Sequence, residues 1–433
     1  MNPAYAAYNV IGMGLFFSLF PPFFLYTLAT GNYRLQMAQR IGHYRKHTLK
    51  RIQGAPRIWI HAVSVGEVTA AAPIIEALKA SFPDSAIILS TITEHGYEVA
   101  GKRYPSDITC ILAPIDTMFS TRRAIRMIRP DILVLMETEL WPVWLNETRR
   151  QGIPTALVNG RLSVRSYSGY LKIRPLMRSV FANIDVLSMI SAADAVRIHR
   201  LGAKESRIRI NGNSKYDGLV DAASDQVLRD MEKLFNLIGS EPVLVAGSTR
   251  RNEDDMVVAA FQRIRRTMND AILIIAPRHL PKLAAIERSL KREGIPYQRR
   301  SHLDHPGVRR QAPVVLLDTF GELFSVYSIA TVVFCGGSLV PLGGQNLLEP
   351  SAWAKPVIYG PSMEDFLDAK QLLEKFGGGV QVNHVEALSA TVQRLFADRK
   401  EALRMGQQAF QAVSHNQGAG RRHADEIARL LAV

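Results

Sequence analysis

One carboxylate in the first half of the chain stands where a catalytic base is needed. Glu67 follows the apolar run Ile58–Val63, just after Gly66. This spacing predicts a carboxylate at the end of a strand, where it could accept a proton from a bound hydroxyl. Partial burial would raise its pKa toward a useful value. The alternative is an acid in the first turn of a helix that stabilises the helix N-terminus.

Two more acids and a lysine could complete such a site. Glu137 and Glu139 directly follow the apolar run 132–136, and the period of an extended strand predicts that they share a face. They could form a polar network, bind a substrate or position a loop. Lys215 lies near the expected domain boundary, where it could meet developing negative charge or remain an exposed linker lysine.

The segment from Phe334 to Pro361 has the pattern of a phosphate-binding loop. Gly336, Gly337 and Ser338 follow an apolar run, and the missing side chains would let main-chain N–H groups approach an anion. A helix predicted to begin near Leu347 would add its N-terminal N–H groups and dipole, and Glu349 could accept hydrogen bonds from ribose hydroxyls. The interpretation is a nucleotide-sugar pocket; the alternative is an ordinary strand–loop–helix–strand connection.

Further polar groups follow other predicted strands. The segments 247–250, 277–279 and 320–322 would add hydroxyls, guanidinium groups and a carboxylate to the same pocket. In the first half, basic residues without a neighbouring acid predict a phosphate-recognition surface. The arginines proposed there to bind the acceptor are Arg161, Arg165, Arg174 and Arg178.

Alternating apolar and helical segments predict two Rossmann-like α/β domains with parallel sheets. Ligands of such domains bind at the carboxyl ends of the strands, here expected in a cleft between the two domains. We place the first domain at residues 58–220 and the second at 221–433, with the linker within 211–240. The apolar runs that predict strands are 58–63, 86–89, 108–112, 132–135, 155–158, 186–189, 243–246, 272–276, 314–317, 331–334 and 357–359.

The amino terminus predicts a membrane anchor. The first charged residue is Arg34, and residues 10–28 are apolar and about long enough to span a bilayer. We assign residues 1–33 to an anchor helix and 34–57 to a basic juxtamembrane segment. The basic cluster places the rest of the chain on the cytoplasmic side and would attract anionic lipid.

The overall charge requires an anionic partner. The 433 residues carry a formal charge of +14, which fits nucleic acid, an acidic membrane or a phosphorylated substrate. A chain with two cysteines, Cys110 and Cys335, has no disulfide framework. A P-loop, a Cys/His cluster and a D-x-D pair are missing from the sequence, so no metal or other cofactor is expected.

The ordered motifs resemble one known family, the 3-deoxy-D-manno-oct-2-ulosonic acid (Kdo) transferases of lipopolysaccharide synthesis. They are HAVSVGE at 61–67, METELWP at 136–142, GNSKYD at 212–217, PRH at 277–279 and GGSLVPLGGQNLLEP at 336–350. The resemblance implies a GT-B fold and an inverting, metal-independent transfer of Kdo from CMP-Kdo to a lipid A precursor at the inner membrane. It runs from the anchor to the carboxyl-terminal helices.

The same resemblance implies roles for individual residues. Glu67 resembles the catalytic base, and Glu137 and Lys215 resemble the pair that stabilises the transition state. The residues that resemble the family's CMP-binding segments are Pro277, Arg278, Phe320, Gly321, Glu322, Asn346, Leu347, Leu348 and Glu349. Two alternatives stay open: a GT-B enzyme that uses a UDP-sugar, and a membrane-tethered protein that binds nucleic acid. The family function involves no nucleic acid, and the sequence leaves the oligomeric state open.

Overall fold

A computed structural model describes residues 5–12, 14, 18, 21, 22 and 34–432. These residues form two compact units, one running to Asp217 and including the C-terminal segment from Gly418, the other Gly218–Gln417. Most of the predicted anchor, residues 1–33, lies outside the described residues. Within the described ranges, no helix has the length and apolar character needed to cross a bilayer.

The first unit is built on a seven-stranded sheet in the order β3-β2-β1-β4-β5-β6-β7. Every pairing in it is parallel, so all the strands end at one edge. The strands are β1 Arg57–His61, β2 Ala86–Thr91, β3 Thr109–Leu112, β4 Ile132–Met136, β5 Thr155–Gly160, β6 Val186–Met189 and β7 Ile208–Ile210.

Helices cover both faces of this sheet. In β1, Trp59 packs into the core on one face, whereas Ile58 and Ile60 pack into the core on the other, as the alternation of a strand requires. The helices are α1 Arg34–Arg40, α2 Lys46–Lys50, α3 Val65–Ser81, α4 Glu94–Arg103, α5 Met118–Ile128, α6 Pro142–Arg150, α7 Val164–Lys172, α8 Arg174–Ala182, α9 Ala192–Arg200 and a short 3-10 helix at Ser214–Tyr216.

The second unit has a parallel seven-stranded sheet in the order β10-β11-β9-β8-β12-β13-β14. Its strands are β8 Val243–Thr249, β9 Ile272–Pro277, β10 Tyr297–Arg299, β11 Val314–Leu316, β12 Val332–Cys335, β13 Val357–Tyr359 and β14 Gly379–Gln381. The remaining helices, from the unit boundary to the end of the chain, are α10 Asp217–Ala222, α11 Asp225–Leu234, α12 Glu253–Arg265, α13 Leu283–Arg292, α14 Leu323–Tyr327, α15 Leu348–Ala352, α16 Leu367–Phe376, α17 Val385–Ala397, α18 Arg399–Asn416 and α19 Ala419–Leu431.

The two predicted parallel sheets are confirmed, and each predicted strand overlaps an observed one. The sequence missed β7, β10 and β14, which are three-residue strands at sheet edges. The expected linker 211–240 contains α10 and α11.

The final helix lies in the first unit, rather than in the second domain to which its residue numbers assigned it. Asp217 accepts hydrogen bonds from the first N–H groups of α19, at 3.1 Å from Ala419 and 2.6 Å from Gly420. Because Gly420 has no Cβ, α19 approaches α3 closely at Pro73. Ala424 and Ile427 then complete the core beneath α3.

Candidate active site

Glu67 lies in the first turn of α3, immediately beyond the carboxyl end of β1. Only 8% of the residue is exposed. Its Oε2 accepts a hydrogen bond from the Val63 backbone N–H at 2.7 Å, and its Oε1 accepts one from Ser64 Oγ at 3.3 Å. These two bonds fix the carboxyl group at the strand end and satisfy a backbone donor of the turn.

Burial raises the pKa of Glu67 to about 8. The hydrogen bond from Val63 opposes this rise, whereas the negative charges of Glu137 and Glu139 add to it. A carboxyl group that titrates near neutral pH can take up a proton during a reaction and release it afterwards. A fully solvated acid in a helix first turn would not have this property.

Glu137 forms an ion pair with Lys215. Glu137 directly follows β4 and adopts a left-handed backbone conformation with φ of 52°, which is rare outside glycine and concentrated at functional sites. Its N–H donates to the carbonyl of Val158 at 3.0 Å. Lys215 therefore has a specific partner, Glu137, within the first unit and is not exposed to solvent alone.

A buried polar network positions the 3-10 helix that carries Lys215. Ser214 donates its N–H to Asn159 Oδ1 at 2.9 Å and its Oγ–H to the Ala70 carbonyl of α3 at 2.7 Å. The Lys215 N–H donates to Asn213 Oδ1 at 3.1 Å. Because Ala70 lies on the same helix as Glu67, this network connects the 3-10 helix of Lys215 to the helix that carries Glu67. Sequence reasoning did not identify Asn159 or Ser214 as positioning residues.

Glu139 lies in the same neighbourhood, but for a different reason from the one predicted. The strand ends at Met136 and the chain turns at Glu137, so an extended period of two does not apply. Trp141 Nε1 donates to Glu139 Oε2 at 2.9 Å. Burial raises the pKa of Glu139, and the charge of Glu137 adds to this effect.

His61 is a core residue. It is fully buried, and burial lowers its pKa to about 3. Its ring packs between Trp141 and Trp144, with ring centroids 5.6 and 4.8 Å away. A histidine that stays neutral in this position packs the core and does not transfer protons at neutral pH.

The predicted acceptor-binding arginines follow β5. Arg161 is half-buried, whereas Arg174 and Arg178 are exposed on α8, four residues apart. The backbone of Arg165 belongs to α7, but its side chain lies outside the description. Because Arg174 and Arg178 are exposed on one helix, a phosphate group can reach both guanidinium groups from the solvent.

In the second unit, the glycine-rich loop binds a carboxylate of the protein itself. The carboxylate of Glu253 accepts hydrogen bonds from the N–H groups of Gly337, Ser338 and Leu339 at 2.5, 2.9 and 2.8 Å, and from Arg250 N–H at 2.9 Å. Glu253 is fully buried. The prediction that these N–H groups hold a substrate phosphate is therefore wrong, because Glu253 already occupies them.

The helix expected to bind a phosphate through its dipole is also too short to have a substantial dipole. α15 has only five residues, and Asn346 Oδ1 accepts the Leu348 N–H at 3.1 Å. Asn346 Nδ2 donates to Glu349 Oε1 at 3.2 Å. Burial raises the pKa of Glu349, and both this hydrogen bond and the positive charge of Arg278 oppose the rise.

The groups left for a phosphate are guanidinium groups at strand ends. Arg278 follows Pro277, the last residue of β9, and its side chain is exposed. Arg250 follows β8 beside the loop, 3.5 Å from where a Gly337 Cβ would lie. Its Nε is buried and has no hydrogen-bond partner among the described residues. Sequence reasoning included Arg250 only as part of the segment 247–250, although an arginine after a central strand was a usable signal.

The predicted segment 320–322 contains one exposed and one occupied side chain. Phe320 is 82% exposed, and Gly321 has a positive φ of 83°. Glu322 accepts a hydrogen bond from Arg300 Nη2 at 2.9 Å and one from Thr319 Oγ1 at 2.5 Å. Glu322 is therefore held by hydrogen bonds from its neighbours, whereas Phe320 has an exposed aromatic face on which a nucleobase could stack.

Comparison with known proteins points to one family. Residues 36–218 match the family described as 3-deoxy-D-manno-octulosonic-acid transferase (kdotransferase). The 3-deoxy-D-manno-octulosonic acid transferase of Haemophilus influenzae is 32% identical over 403 residues, which cover 93% of this chain and 92% of that protein.

Two solved structures share the fold at low sequence identity. Anabaena Alr3699/HepE in complex with UDP has a TM-score of 0.63 at 11% identity, covering 87% of this chain and 99% of that one. A glycosyltransferase from Rickettsia africae has a TM-score of 0.60 at 14% identity, covering 87% and 98%. The likeness shows two parallel-sheet α/β domains of the kind found in GT-B glycosyltransferases.

Proposed function

Because the chain belongs to the 3-deoxy-D-manno-octulosonic acid transferase family, we propose that it moves Kdo from CMP-Kdo to a lipid A precursor of the lipid IVA type. The transfer inverts the anomeric configuration and needs no metal. The observation that carries the proposal is the buried carboxyl of Glu67, whose pKa is raised to about 8 beside the Glu137–Lys215 ion pair. A base of this kind suits the activation of a sugar hydroxyl.

In the proposed reaction, Glu67 takes the proton of an acceptor hydroxyl as its oxygen attacks the anomeric carbon of Kdo. The bond between that carbon and the CMP phosphate oxygen breaks on the opposite side, and the phosphate oxygen keeps the electron pair. The Lys215 ammonium, held by Glu137, stabilises the negative charge that develops.

The second domain binds the donor in this proposal. Arg278 and Arg250 contact the phosphate, because the loop N–H groups are occupied by Glu253. Asn346 and Glu349 bind the ribose hydroxyls. The other residues proposed to line the CMP site are Pro277, Phe320, Gly321, Glu322, Leu347 and Leu348.

The first domain binds the acceptor. Residues 58–220 form this domain and 221–433 the donor domain, except for the final helix that returns to the first unit. Arg161, Arg165, Arg174 and Arg178 contact acceptor phosphates. Residues 1–33 anchor the protein in the inner membrane, and the basic segment 34–57 binds anionic lipid, with both domains on the cytoplasmic side.

The test is a transfer assay with purified protein, CMP-Kdo and lipid IVA, followed by mass spectrometry of the lipid. We expect the lipid to gain the mass of at least one Kdo, with and without a chelator, and NMR of the product to show inversion. Glu67→Gln should lose turnover and keep CMP binding. Unmodified lipid from a folded protein that binds CMP would refute the acceptor assignment, and transfer from UDP-sugars alone would refute the donor.

A further inference from the structure

A cavity of the second unit lies at the side of the sheet where its parallel strands begin. Arg278 lies at the other side, where the strands end. The volume of the cavity is about 240 Å³. Its walls come from the segments that precede three neighbouring strands, β8, β12 and β13. In parallel sheets the strands begin at one edge and end at the other, so this cavity is separate from the donor loops.

Two polar groups in the cavity wall make no hydrogen bond with any described residue. The side chain of Lys355 makes no hydrogen bond or ion pair with any described residue, although it lines the cavity and burial lowers its pKa to about 8. Ser328 also lines the cavity, and its buried Oγ has no hydrogen-bond partner among the described residues. A buried donor such as the Ser328 hydroxyl is normally satisfied, and Lys355 in the same cavity wall is half-buried without a hydrogen bond to a described residue. Together they indicate a missing ligand.

The other charged groups of the cavity determine which ligand fits. Arg399 is exposed at the beginning of α18, and Glu232 on α11 partly opposes the lowered pKa of Lys355. Glu241 is already engaged by Arg310 at 3.3 Å. An ammonium, a hydroxyl and a guanidinium favour an oxyanion, whereas the Glu232 carboxylate can accept hydrogen bonds from ligand hydroxyls.

We propose that this cavity is a binding site for a small hydroxylated organic phosphate, with Lys355 and Ser328 as donors to the phosphate and Glu232 as acceptor for the hydroxyls. The volume lies just below the range of about 300 Å³ and above that holds drug-sized ligands. It therefore suits a sugar phosphate or polyol phosphate of a few carbon atoms. The site is distinct from the proposed donor and acceptor sites.

The test uses glycerol 3-phosphate as the probe, with the full-length protein and excess CMP so that the donor site is filled. Isothermal titration calorimetry should detect binding of glycerol 3-phosphate and none of glycerol. Lys355→Met should weaken binding at least about tenfold and Ser328→Ala about threefold or more, since each removes one donor. Lys375→Met, an exposed lysine of the same unit, is the matched control and should bind as the wild type does.

The pH dependence provides a second measurement that does not depend on a variant. Because the Lys355 ammonium loses its proton above about pH 8, affinity for glycerol 3-phosphate should fall between pH 7 and 9.5. Absence of binding to the wild type would overturn the proposal. So would unchanged affinity in Lys355→Met that still binds CMP.

Discussion

Replacing Glu67 with Gln should increase stability at alkaline pH while it removes activity. Glutamine keeps the size of the side chain and cannot ionise. The wild-type carboxyl has its pKa raised from 4.5 to about 8, mainly by burial, so the folded state holds the proton more tightly than the unfolded state. The contribution of the Glu67 carboxyl to folding stability is fully present below about pH 4.5 and is lost as the pH rises to about 8.

The magnitude follows from the size of this difference in pKa. A carboxyl that titrates at about 8 instead of 4.5 costs on the order of 5 kcal/mol of folding free energy at pH 9. The 8% exposure of Glu67 means that solvent screens little of this effect. Glu67→Gln should therefore unfold at higher urea concentration than the wild type at pH 9, and the advantage should shrink toward pH 5.

Catalysis should change in the opposite direction. Only the deprotonated carboxylate accepts a proton, so wild-type kcat/KM should rise with pH and level off above about 8. Loss of the general base should lower turnover by roughly 10² to 10⁴ and flatten this profile. The matched control is Glu76→Gln, because Glu76 lies on the same helix with its side chain 69% exposed. A wild-type profile that is flat from pH 6 to 9, or equal stabilities of Glu67→Gln and wild type at pH 9, would refute this reasoning.

Two further predictions concern the second unit. Glu253→Ala leaves the N–H groups of the loop at Gly337–Leu339 buried without an acceptor, so urea denaturation should show a loss of roughly 3–5 kcal/mol; a loss below about 1 kcal/mol, as expected for the exposed control Asp255→Ala, would contradict the assigned role. Arg250→Ala should weaken CMP binding by about tenfold or more in calorimetry with little change in urea midpoint, because its buried Nε has no hydrogen-bond partner among the described residues. Arg251→Gln is its control, and equal CMP affinity in both variants would remove Arg250 from the donor site.

The sequence predicts central elements well because burial leaves a strong pattern. Strands such as β1, β4 and β8 are almost entirely buried, so they consist of apolar runs that end at polar residues. The edge strand β10 has the sequence Tyr-Gln-Arg and is half-buried, which leaves no apolar run to detect. The same contrast explains why Glu67 and Glu137, which follow central strands, could be identified as candidates.

Glu253 shows what local sequence cannot reveal. With Asp254 and Asp255 it forms an acidic first turn of α12, which is ordinary for a helix N-terminus. The loop that it satisfies lies more than 80 residues further along the chain. The only signal is topological, because β8 and β12 are neighbours in the sheet and end at the same edge. The order of the strands, and with it this contact, requires the fold.

The internal role of Glu253 changes what the loop glycines are for. A Cβ on Gly336 would lie 2.7 Å from the Ser248 carbonyl oxygen, and one on Gly360 would lie 2.2 Å from the Ser338 carbonyl oxygen, so these glycines permit close backbone packing rather than phosphate contact.

In the proposed complex, the donor phosphate contacts mainly Arg250 and Arg278, because the loop N–H groups are occupied by Glu253. The pH dependence of the reaction should therefore appear in kcat/KM through Glu67. Between about pH 7.5 and 9, where the CMP phosphate is already dianionic, any pH dependence of CMP affinity should arise from Glu349, whose pKa burial raises, and should disappear in Glu349→Gln. A CMP affinity that still varied between about pH 7.5 and 9 in that variant would show that donor recognition depends on some other titrating group of the protein.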